Sequence, residues 1–112
     1  MNGSRLAASE HRLFDEVRRR LVEALDPPPE RIVAFGSRAR GDARADSDLD
    51  LIVVLRTTAS PAERSLVCRR PLRGLELGMD VLVYTPEEYA RERTYPSSVV
   101  RTAEREGIVL HG

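Results

Sequence analysis

The chain has 112 residues, enough for one modest domain and too few for two. Its hydrophobic content of 41% permits a real core and argues against disorder. Eighteen basic residues balance eighteen acidic ones, so no global field recruits nucleic acid, and because every basic residue is arginine, lysine catalysis is excluded.

The N-terminal stretch "MNGSRLAASEHRLF" lacks the long apolar core of a signal peptide. Leu13, Phe14, Val17, Leu21, Val22 and Leu25 then recur at helical spacing, with Ser9 and Glu10 forming an N-cap region. The "DPPP" run at 26–29 ends this helix, since proline cannot continue it. Ile32–Phe35 reads as a short buried strand stopped by Gly36, and Leu49–Leu55 as a second strand rich in β-branched residues. Residues 60–74 read as a helix with Ser60 as cap and Pro61 at its first position. Met79–Tyr84 is a third strand, and 85–93 repeats the cap-Pro-Glu-Glu helix start. Pro96 breaks that helix, Ser97–Glu106 forms another, and "IVLH" is a last short strand or an edge. The order predicts one α/β (α+β) domain over 1–112, with helices packed on a small mixed β-sheet.

Cys68 is the only cysteine, so no internal disulfide and no cysteine-based zinc site can form; it reads as a small buried hydrophobe. His11 and His111 lie near opposite ends and read as surface or edge residues. The longest apolar run, Leu51–Leu55, is far too short to span a bilayer, so a soluble cytoplasmic protein is expected.

Chemistry concentrates in "FGSRARGDARADSDLDLIVV", residues 35–54. Asp48 and Asp50 stand at i and i+2 on one strand face, about 6–7 Å apart at Cα. Two such carboxylates suit a hard cation, Mg²⁺ above all. Asp80 opens the third strand and joins them if the second and third strands are neighbours. Upstream, Gly36 lets the backbone approach a ligand closely, and Ser37 starts a short helical turn whose N–H groups attract anions. Arg38 and Arg40 add charge, either as phosphate contacts or as solvent-facing salt bridges. A P-loop would need Lys and Ser/Thr after Gly41, where Asp42 and Ala43 stand. A calcium loop starting at Asp46 would have Leu51 and Thr57 where Gly and Glu belong.

Gly-Ser, ten residues, Asp-x-Asp and a later strand acid together resemble the signature of the DNA polymerase β-like nucleotidyltransferase superfamily. The "ARG" and "SDLDL" variants resemble its minimal nucleotidyltransferase (MNT) group, short proteins often encoded beside a HEPN-domain toxin. The likeness is detailed over residues 30–84. It implies the palm-like nucleotidyltransferase fold, with Gly36 and Ser37 on the triphosphate. Asp48 and Asp50 would hold two Mg²⁺ ions, and Asp80 would complete one metal site and serve the attacking hydroxyl. It further implies AMP transfer from ATP to a hydroxyl, most simply a tyrosine of the HEPN partner, which this chain would silence as an antitoxin. The alternative is a non-catalytic nucleotide-binding antitoxin that works by complex formation. Only about thirty residues follow the third strand, which favours an acceptor that brings its own surface, leaves room for a hetero-oligomer and gives no role to nucleic acid or membrane.

Overall fold

The computed structural model describes residues 6–112. The start of the segment read as lacking a signal-peptide core, residues 1–5, lies outside the described residues. Helix α1 spans Ala8–Ala24, strand β1 Arg31–Phe35 and the single-turn helix α2 Gly36–Arg40. Strand β2 (Leu49–Val54), helix α3 (Pro61–Arg69) and strand β3 (Met79–Tyr84) follow. Helices α4 (Pro86–Glu92) and α5 (Val99–Glu106) then lead to strand β4 (Ile108–His111). The short turn after Phe35 and the last strand both form as expected.

The sheet order is β3-β2-β1-β4. β1 pairs antiparallel with β2 and β4, whereas β2 and β3 run parallel. A parallel pair needs a long crossover, and α3 with its flanking loops supplies it. Alternation along the strands splits the core. Leu49, Leu51 and Val53 face α1 and α3 together with Val17, Leu21 and Cys68. Val33, Ile52 and Val54 face the other way, against Tyr89, Val100 and Ala103 of α4 and α5. β2, buried at almost every position, is the spine of both layers.

Local chemistry accounts for most helix boundaries. Ser60 accepts from the Glu63 N–H at the start of α3, and Thr85 forms a full capping box with Glu88 at the start of α4. Two expectations need correction. Ser9 does not cap α1: Ala7 is the N-cap residue, without a side-chain bond, and Ser9 lies in the first turn. The helix expected through residue 74 stops at Arg69. Pro71 admits only a 3₁₀ turn over Arg70–Leu72, and Gly74 at φ 91° leaves the helical region.

Cys68 is fully buried, and desolvation pushes its thiol up to about 11, so it packs as a hydrophobe and offers no thiolate. No helix among the described residues is long and apolar enough to cross a membrane.

Candidate active site

Register decides what the sequence left conditional. Asp50 is the direct partner of Asp80 across the parallel β2–β3 pair, and of Phe35 across the antiparallel β1–β2 pair. Neighbouring strands are about 4.8 Å apart, so the two aspartates are adjacent at the backbone. Asp50 lies two residues before Ile52, so its side chain is on the α4/α5 face of the sheet. It is half-buried, while Asp48 and Asp80 are exposed.

The three carboxylates oppose one another. Burial first, then the charge of Asp80, then that of Asp48, raise the Asp50 carboxyl above its ordinary value of 3.8; Arg40 partly offsets them. Glycines close the site from two sides. A Cβ on Gly36, which sits at φ 76°, would overlap the Asp50 carboxylate, and a Cβ on Gly78 would overlap that of Asp48. The Gly78 carbonyl also accepts the Leu49 N–H at 2.8 Å, which ties the start of β2 to the strand beside it. Gly36 thus places bare backbone beside Asp50, where α2 begins. Among the described residues no side chain caps the first N–H groups of α2, and Ser37 stands half-exposed among them.

A family model for the nucleotidyltransferase domain matches residues 14–110, most of the chain. The chain belongs to that family. Membership supports nucleotidyl transfer at a general level. A crystal structure of a provisionally assigned nucleotidyltransferase from Sulfolobus solfataricus is similar in fold, with a TM-score of 0.60. The two are 24% identical, and the likeness covers 90% of this chain and 81% of that one. No curated protein matches the sequence.

Nucleotidyltransferase domains usually use a divalent metal with the nucleotide. Among the described residues, no group of three or more His, Cys, Asp or Glu side chains converges closely enough to hold an ion. The donor set nevertheless fits Mg²⁺, which keeps several waters and binds through one or two carboxylates plus substrate phosphates rather than in an all-protein cage. The repulsion that raises Asp50 is what a cation between the aspartates would relieve.

The two arginines of the nucleotidyltransferase motif part company. Arg38 is 8% exposed, and its Nε and Nη2 donate to the Ser47 carbonyl at 3.0 and 2.8 Å. Nη2 also reaches the Ala45 carbonyl at 3.2 Å, and Nη1 the Glu10 carboxylate at 2.8 Å. It pins the loop before Asp48 to α1 and is neither a free phosphate ligand nor a solvent-facing bridge. Arg40 stays exposed, 3.4 Å from Asp42 and 3.6 Å from Glu106, close enough to act on Asp50. Sequence reading missed Gly78. Its one signal was its place two residues before Asp80, mirroring the place of Asp48 before Asp50.

Proposed function

We propose that this nucleotidyltransferase domain moves AMP from ATP onto a tyrosine hydroxyl of a HEPN-domain partner, and so acts as that partner's antitoxin. The observation that carries the chemistry is the Asp50–Asp80 register pair, with Asp48 beside it and the Gly36 backbone against Asp50. The protein acceptor is supported by exposure: Asp48 and Asp80 lie open at the strand ends, where a hydroxyl carried on another protein's surface can reach them.

The residues divide the work as follows. Gly36 and the N–H groups that open α2, with the Ser37 hydroxyl, receive the β- and γ-phosphates; Arg40 adds positive charge at the rim. Asp48 and Asp50 would hold Mg²⁺, and Asp80 would complete a second site. When bound, the metal neutralises the phosphates and lowers the pKa of a hydroxyl beside it. The acceptor oxygen attacks the α-phosphorus, the bond to the bridging oxygen breaks, and pyrophosphate leaves. Asp80 receives the acceptor proton. An unperturbed tyrosine has a pKa of about 10, so near neutral pH it needs that base.

Incubation with α-labelled ATP, Mg²⁺ and the HEPN partner tests the reading. Label on the partner, lost when its tyrosine is changed to phenylalanine, is the expected result. A stoichiometric complex without label would replace transfer by occlusion.

A further inference from the structure

A cavity of about 390 Å³ lies beside the start of β3, under the loop that joins the 3₁₀ turn to that strand. Leu72, Leu75 and Leu77 give it an apolar lining, and Arg69, Arg73 and Gly78 rim it. Gly78 also touches the Asp48 carboxylate, so cavity and candidate active site share one residue.

Its charge is unbalanced. Nearby on α1, Arg19 and Arg20 both pair with Glu16. Arg69 donates only to the Met79 carbonyl, at 3.3 Å, and the Arg73 guanidinium has no partner among the described residues. Among the described residues, Glu76 is the one acid in the lining, against these two arginines. It is held at φ 52°, a conformation that L-residues rarely adopt. Unneutralised guanidinium groups over an apolar floor favour carboxylates attached to an apolar chain.

Position sets what the occupant does. The Met79 side chain packs toward α1 and α3, so Asp80, the next residue, points to the opposite sheet face. The cavity therefore does not hold the reacting hydroxyl. Gly78, which borders the cavity on one side and the Asp48 carboxylate on the other, is the link between the two faces.

We propose that this cavity docks an acidic segment flanking the acceptor hydroxyl of the partner protein. The proposal rests on the transfer reading above. A nucleic-acid strand is the poorer occupant: no aromatic side chain among the described residues lines the cavity for base stacking, and the chain carries no net positive charge.

The test uses the full chain and three fluorescent probes: a tyrosine peptide flanked by glutamates, its glutamine counterpart, and a single-stranded uridine oligonucleotide. The glutamate peptide should bind best. The Arg69→Gln/Arg73→Gln variant should weaken it about tenfold at low salt and much less at high salt, as for exposed ion pairs. ATP affinity and melting temperature should stay unchanged. Equal binding of the two peptides, unchanged binding by the variant, or tighter binding of the oligonucleotide would each overturn the proposal. Charge-selective binding of the peptide without label transfer to it or to the HEPN partner would sink the transfer reading and leave docking intact. Transfer to the partner with no charge preference would do the reverse.

Discussion

Two charged regions of this molecule have opposite electrostatic character. Where α3 meets α4, Arg64 is 8% exposed and holds both oxygens of Glu88, at 2.7 and 3.3 Å. Its Nε donates to the Ala59 carbonyl at 2.9 Å, and Glu88 also accepts from the Thr85 N–H at 3.0 Å. That region is closed, and the arginine, with the Thr85 N–H behind it, holds the Glu88 carboxyl below its usual range. At the strand ends, Asp50 moves the other way, raised by burial and by two neighbouring carboxylates. A charge whose partners are all internal serves the fold. A charge that the fold leaves opposed by its own neighbours marks a candidate site for a group from outside the chain.

The largest effect should come from removing that opposed charge. Asp48→Asn and Asp50→Asn should each abolish nucleotidyl transfer while the protein stays folded. Asp50→Asn should also melt at a higher temperature than the parent in chelator, because the repulsion is gone, and should gain less from added Mg²⁺. Transfer at the parental rate by either variant would remove the aspartates from the site. Asp80→Asn should lower single-turnover transfer roughly 10²-fold, the scale of general-base assistance, while Mg-ATP affinity stays within a few-fold. Raising the pH should recover part of the loss. A folded Asp80→Asn protein with full activity would leave Asp80 as a strand residue only.

The same contrast separates what the sequence could tell from what it could not. Strands were legible because Ile32–Phe35, Leu49–Leu55 and Met79–Tyr84 are short, mostly apolar runs bounded by Gly, Pro and Asp. The carboxylates were legible because aspartate is out of place at the edge of such runs. Pairing was not. Nothing local dictates that β2 lies parallel to β3, so Asp80 could join the site only conditionally until the register was known. Arginines are hard for the same reason: Arg38 and Arg40 are two residues apart and look alike in sequence. Only tertiary structure sends the first to Ser47 and Glu10 and leaves the second at the rim. Arg64 and Glu88 are 24 positions apart, beyond any local pattern.

Gly78 sharpens the comparison because its substitution should spare the fold and disturb the site. Its backbone is not in the left-handed region, so alanine brings no strain there, unlike at Gly36. The new methyl would meet the outer end of the Asp48 side chain, which can rotate away. Gly78→Ala should therefore melt within about 3 °C of the parent, as a surface substitution does, yet lose about tenfold in transfer, the penalty of a displaced ligand. Restored activity at higher Mg²⁺ would support displacement of Asp48. An unchanged rate at low Mg²⁺ would mean that Asp48 keeps its place.

The smallest effect belongs to the closed region and is read as stability against pH. Glu88→Gln keeps an oxygen for Arg64 or for the Thr85 N–H but loses the charge. Since Glu88 stays partly exposed, the loss should be about 1 kcal/mol at neutral pH rather than the larger cost of a sealed pair. The folded-state pKa of Glu88 is lowered, so its contribution is complete above the ordinary value of 4.5 and fades as pH falls through the lowered one. Parent and variant melting curves should therefore converge in acid, with the parent more stable at neutral pH. For Asp50 the sign reverses. Its folded-state pKa is raised, so the ionised form costs stability above that value, and the cost disappears as pH falls toward 3.8. In chelator, Asp50→Asn should start more stable than the parent and lose that advantage in acid. Thermal melts of both variants across one pH series measure the two trends together. If the two differences from the parent have the same sign at neutral pH, the distinction between closed and opposed charge fails.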